Sequence, residues 1–313
     1  MGDDYTGSFQ NIQCYDGLKV NAIINEIDGM NHDGTAKTSV PNIFGMNFQA
    51  VSIGEKLIYK DATTLPQPYS IKGGYTDSIG TPSPSLLAEI KFVDRSIGKM
   101  VSQLKKQGLY NSTLIIITAK HGQSPIDSSR YIRNGPPNDP ASILSSFLAP
   151  SQLEMIGPTE DDVALLWLSD SGQTAAAVAE LEAASPAAGP PPPLPLAPNT
   201  NIAGIVEIFS SPSMDLYYNP GDLRAPDILI TPNIGVTYSN SGKKLAEHGG
   251  FAHDDVNVIL LVSDPNFAST TITSPVETEQ VAPTILTALG LDPTSLQAVV
   301  VEGTQNLPGL PLK

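Results

Sequence analysis

The run Thr113-Leu114-Ile115-Ile116-Ile117-Thr118, closed by Ala119-Lys120-His121-Gly122-Gln123, constrains this chain more than any other stretch. A short β-branched apolar run bounded by a glycine-containing turn reads as a buried strand, with His121 just past its carboxyl end. In open α/β sheets, ligands bind at the carboxyl ends of the strands. A second histidine-glycine pair, His248-Gly249-Gly250, precedes another apolar run, 256–262. Two histidines so placed point to a shared metal-dependent site. Lys120 complicates that reading, because an ammonium has no lone pair to give a metal.

Composition sets the outer bounds. A chain of 313 residues can bury a sizeable core as one α/β domain or as a domain with an insert. No apolar stretch reaches the roughly 20 residues of a membrane-spanning helix, so no membrane span is expected. The start Met1-Gly2-Asp3-Asp4 has neither the basic nor the apolar region of a signal peptide. The single cysteine, Cys14, excludes an internal disulfide framework. With 32 acidic against 17 basic residues the net charge is −15, which argues against binding a nucleic-acid backbone. A small phosphate ester stays open, because a bound cation reverses the local sign. The oligomeric state is not legible.

Along the chain, 16–27 carries apolar residues on one face and ends at Asp28-Gly29, predicting an amphipathic helix. The apolar run 43–51 predicts a buried strand. Ser83 and Pro84 then open a helix whose apolar residues recur to Leu104, with Lys105-Lys106 in the last turn and Gly108 as its stop. Strand, helix and the 113–118 strand in that order predict a βαβ unit with parallel strands. The apolar run 163–168, an alanine-rich helix from Thr174 to about Ala184 and a strand over 202–209 read as a small β-α-β insert within 155–220. Its proline-rich stretch 186–198 fits only an exposed extended loop. Strands at 227–230 and 256–262 and a helix over 276–289 complete the chain. The expected fold is a single α/β domain over 1–313, a doubly wound and mostly parallel sheet with helices on both faces.

Three segments, Thr113–Gln123, Glu247-His248-Gly249-Gly250-Phe251-Ala252-His253-Asp254-Asp255 and 280–291, together resemble the alkaline phosphatase superfamily. The likeness is to its type I phosphodiesterase/nucleotide pyrophosphatase branch and covers roughly 16–125 and 220–310. What it implies is a site with two divalent metals, usually zinc, at the carboxyl ends of the strands. There a threonine or serine nucleophile attacks a small phosphate ester. On the matching positions, His121 and His248 become metal ligands, a role that neutral imidazole suits.

The chain also departs from the family pattern. Lys120 stands where the family has an aspartate. Its ammonium either substitutes for a metal's charge at a phosphoryl or sulfuryl oxygen, or is a solvated lysine at a strand end. The Asp-x-x-Gly-His segment has two partial counterparts. Asp77-Ser78-Ile79-Gly80 keeps the aspartate but has Thr81 for histidine, making Asp77 the third candidate ligand. Ser52-Ile53-Gly54 offers only Val51 and Glu55 beside it. His253 and Asp254 are either extra ligands or loop caps. The family's first metal-binding strand and its nucleophile have no counterpart, so the chain reads as the C-terminal portion of a longer domain. The expectation is therefore a metal-dependent phosphoric-ester hydrolase with an altered site. The alternatives are a non-catalytic remnant or binding module and, from Lys120 alone, a sulfatase- or phosphonate hydrolase-like enzyme.

Overall fold

The computed structural model describes residues 4–60, 65–127, 130–147, 158–184, 202–219, 221–222, 224–242 and 244–312. In chain order its regular elements are α1 (Phe9–Ile27), α2 (Ala50–Lys56), α3 (Pro84–Lys106), β1 (Ile115–Thr118), β2 (Ser124–Pro125), β3 (Ile132–Arg133) and α4 (Pro140–Phe147). There follow β4 (Thr159–Glu160), β5 (Ala164–Leu166), α5 (Thr174–Ala183), β6 (Ile205–Ser210), β7 (Ile228–Pro232), β8 (Val236–Thr237) and β9 (Ala246–Glu247). The last are α6 (His253–Val256), β10 (Leu260–Ser263), α7 (Val281–Ala288) and α8 (Gln297–Glu302). They divide into two compact units. The first holds Met1–Ile12, Gln49–Ile90 and Gln123–Val256; the second holds Gln13–Phe48, Lys91–Gly122 and Asn257–Lys313.

The first unit is organised by a four-stranded sheet in the order β4-β5-β7-β6. β7 pairs antiparallel with both neighbours, Ile230 facing Ala164 on one side and Ile208 on the other. Its Ile228, Leu229 and Ile230 are all fully buried, on alternate faces. Ile228 and Ile230 join Leu166 and the helix residues Leu144 and Leu181 in one cluster, whereas Leu229 packs with Val163 and Met214 in another. An uninterrupted apolar run is what a strand covered on both faces requires. Each such side chain contributes about 1.5–3 kcal/mol by leaving water.

In the second unit, Ile23 and Ile27 of α1 and Leu104 of α3 form a small core with Phe44, Met46, Met100, Leu109, Tyr110 and Ile115 around it. The helix signals are explicit. Ser83 Oγ accepts from the Leu86 amide at 3.1 Å, capping α3, and Pro84 occupies its first position. At the other end the Leu109 amide donates to Leu104 O and Gly108, at φ +71°, donates to Lys105 O. This is the double closure that a left-handed residue after a helix permits. Among the described residues no helix is long and apolar enough to cross a membrane.

The α/β class holds, and the strand directions correct the expected sheet. β1 runs antiparallel to β10, with Ile116 facing Val262, and β2–β9 is antiparallel too. Among the described residues, β3–β8 is the one parallel ladder between named strands. An apolar run reports burial on both faces and carries no information about the direction of its neighbours. The β5-α5-β6 connection shows how the reading went astray. Both strands oppose β7 and so run the same way, but the later strand β7 lies between them. The expected strand over 43–51 is also absent. Phe44 and Met46 alternate into the core as strand residues would, yet residues 44–49 have no regular structure and α2 begins at Ala50. Helix α1 starts at Phe9 rather than at residue 16, with Ser8 Oγ accepting from the Asn11 amide at 3.0 Å. The proline-rich stretch 186–198 lies outside the described residues.

Candidate metal centre

The first unit gathers acids around His248. β9 ends in Glu247, opposite Ser124 of β2, and Glu247 is 1% exposed. The next residue, His248, leads into Gly249, at φ +106°, and Gly250. At Gly250 the packing is tight, since a Cβ would sit 3.0 Å from Asp255 Oδ2 and 3.2 Å from Asp162 Cβ. From the turn joining β4 to β5 comes Asp161, whose carbonyl accepts from the Tyr238 amide at 2.9 Å. Asp161, Glu247 and His248 each bring a ligand atom, and these atoms lie within 4.8 Å of one another.

Among the described residues, one ammonium pairs with these carboxylates. Lys244 Nζ pairs with Glu247 Oε1 and lies 3.3 Å from Asp161 Oδ1. Behind the trio, Asp255 of α6 is buried and its Oδ2 accepts from Ser124 Oγ at 2.9 Å. Burial, and then the charges of Asp255 and Asp161, push the Asp162 carboxyl up to about 7, against a smaller opposing pull from Lys244.

Two carboxylates and an imidazole are a donor set that a divalent cation accepts. Glu247 Oε1 faces the Lys244 ammonium, while its Oε2 has no hydrogen-bond partner among the described residues. A buried carboxylate left in that state is costly unless a cation faces it. The residues therefore fit a metal, and Lys244 supplies the positive charge in this structure.

The other sequence candidates are placed as follows. His121, in the second unit, donates from Nδ1 to Gly122 O at 2.7 Å. In a neutral imidazole that bond puts the lone pair on Nε2, the arrangement in which a backbone carbonyl orients a metal-binding histidine. Lys120 beside it is exposed. Asp77, in the first unit, caps an exposed turn. Its Oδ1 accepts from the amides of Ile79 at 3.2 Å and Thr81 at 2.9 Å. Hydrogen bonds, first from the Thr81 side chain and then from its amide, hold this carboxyl below the usual aspartate range. It is not one of the trio around His248. In the alternative segment, Glu55 accepts from Tyr75 at 2.9 Å and from Gln123, whose Oε1 accepts from Ser52 Oγ at 3.0 Å. Burial and the Glu55 charge push Tyr75 up to about 12. His253 and Asp254 are exposed, with His253 Nδ1 3.4 Å from Asp254 Oδ1.

Sequence reasoning missed Asp161 and Glu247. Glu247 was readable as an acid directly preceding a candidate ligand. Asp161 was not, because only the fold of the 158–166 hairpin brings it near residue 248.

Human ectonucleotide pyrophosphatase/phosphodiesterase 5 is 17% identical to this chain, over 66% of this chain and 48% of its own, with a TM-score of 0.44. The murine counterpart is 18% identical, over 58% of this chain and 42% of its own, with a TM-score of 0.38. The same values hold for an inactive murine variant in complex with AMP. The chain spans about half the length of the first of these structures. No curated protein sequence matches it. The profile of the type I phosphodiesterase/nucleotide pyrophosphatase family matches residues 66–255, more than half of the chain. The chain belongs to the type I phosphodiesterase/nucleotide pyrophosphatase family, within the alkaline phosphatase superfamily.

Proposed function

We propose that this protein is a metal-dependent phosphoric-ester hydrolase of its family, with Asp161, Glu247 and His248 as a cation site. The observation that carries this reading is the convergence of His248, the position family resemblance assigns to a metal, with two carboxylates. A divalent metal there, zinc being the family's usual ion, supplies charge to bind phosphoryl oxygens and lowers the pKa of an attacking oxygen. Asp161 and Glu247 supply the negative charge, with Glu247 buried at the end of β9. His248 supplies a neutral nitrogen donor from the turn that follows. The same resemblance gives His121 a ligand role and makes Asp77 a further candidate. Lys120 stands where the family has an aspartate, its ammonium either substituting for a metal's charge or solvated at the strand end. The substrate class is a small phosphate ester, whose anion reaches so acidic a protein only where local positive charge collects.

Turnover of bis(4-nitrophenyl) phosphate in the presence of Mn2+ or Zn2+ tests this. His248→Ala is expected to lower kcat/KM by at least about a hundredfold, since even outer-shell partners of metal ligands are worth 10–100-fold. Equal turnover in the variant, or turnover that survives a chelator, would contradict the proposal.

A second reading is a non-catalytic binding module. It is favoured by Lys244, whose ammonium stands between the two carboxylates where a metal would otherwise balance them. This reading predicts no turnover with any metal supplement.

A further inference from the structure

We propose that Lys244 is an internal competitor for the metal: its ammonium pairs with Glu247 and Asp161, and a cation binds only when that side chain swings out. This rests on the cation site proposed above. Glu247 is buried, so its carboxylate is stable as an anion only with a cation beside it. In this structure the balance comes from Lys244, three residues earlier in the chain, which reaches Asp161 across the turn as well.

An ammonium and a divalent ion cannot share these oxygens. The lysine has no lone pair to offer the metal, and the two cations repel. They are therefore alternatives at one position. Lys244 has the means to leave, because its head is on a flexible four-carbon stem and the side chain remains 27% exposed. Its backbone, by contrast, is fixed, with Lys244 bridged to Leu57 and the following Leu245 amide donating to Lys56 O at 2.9 Å. Only the side chain needs to move. The lysine thus stabilises the metal-free protein and weakens metal affinity by the same interaction, as thermodynamic linkage requires.

Calorimetric titration of Mn2+ and of Zn2+ into the full chain, wild type against Lys244→Met and Lys244→Arg, tests the proposal. The neutral variant is expected to bind at least about tenfold more tightly than wild type, because a repulsive charge has gone. The arginine variant, which keeps the charge, is expected to bind no more tightly than wild type. In thermal melts Lys244→Met should unfold earlier than wild type without metal and gain more from added metal. Lys244→Gln, neutral but still able to donate to Glu247, gives the same readings if the methionine variant does not fold. Affinity in the neutral variants equal to or below wild type overturns the role of Lys244, while His248-dependent binding by wild type would leave the cation site standing. If neither wild type nor the neutral variants bind a divalent ion, both the competitor and the cation site are overturned.

Discussion

Ile230→Ala is expected to destabilise the protein by about 2–5 kcal/mol, the range for truncating a fully buried isoleucine to alanine. Ile230 is completely buried in the central strand of the four-stranded sheet, opposite Ala164 and Ile208 and within the cluster that holds Leu144, Leu166 and Leu181. The lost methylenes forfeit their transfer free energy, and the cavity between strand and helices closes only in part, because neighbours on both sides are fixed by the ladder. Against a typical total of about 5–15 kcal/mol, this is a large fraction. The effect extends to the site, since β5 and β7 hold the β4–β5 turn that carries Asp161. Urea denaturation should show a lower midpoint with an unchanged slope. An unfolding free energy within about 0.5 kcal/mol of wild type, the range typical of surface substitutions, would contradict the described core.

Glu160 predicts the second large effect, a stability that falls as pH rises. Burial pushes its carboxyl up to about 8, with the Asp139 charge and a shared hydrogen bond adding to the shift and the bond from the Ala141 amide opposing it. In the unfolded chain the same group titrates near 4.3. Between those two values the folded state holds a proton that the unfolded state has released. The stabilisation is complete below the lower value and is lost as pH rises towards about 8. After discounting for partial solvent screening, the loss over this window is of order 2 kcal/mol. Asp162, pushed up to about 7, contributes with the same sign. Glu160→Gln keeps the shape and an oxygen for the Ala141 amide, and offers Asp139 a donor at every pH. It should be more stable than wild type near pH 8 and show a shallower decline from pH 5, read from urea midpoints across that range. Parallel pH profiles for the two proteins would refute the assignment.

Local chemistry made much of the fold readable. Ser83, Pro84 and Gly108 bound α3 because capping and left-handed closure depend on residues within a few positions of the helix end. Asp28-Gly29 ends α1 for the same reason. The β-branched runs around Ile116 and Ile230 form strands, the second buried on both faces and the first only half-buried. Strand direction was not readable, and β1 and β5 both acquired antiparallel neighbours. Pairing is chosen by residues more than 60 positions away, as with Leu165 and Leu229. Residues 43–49 illustrate the limit of periodicity. Phe44 and Met46 face the core, but a strand also needs a partner for its amides, and that is a tertiary fact.

The site divides along the same line. His248 and His121 were legible from motif likeness, and Asp77 was legible only as an aspartate before a glycine turn. Its carboxylate proves to be engaged by the amides of Ile79 and Thr81. Asp161 and Lys244 could not be found from the sequence, because neither lies in a motif. Their meaning arises from distances to Glu247 that only the folded first unit creates.

Metal content tests the central claim most directly. The full chain would be dialysed to equilibrium against Mn2+ or Zn2+, freed of loosely held ions and analysed for metal per chain. Wild type is predicted to retain at least one ion, and His248→Ala and Glu247→Gln are predicted to lose it. A wild-type chain that retains none, or variants that retain as much as wild type, would contradict the claim that Asp161, Glu247 and His248 form its cation site.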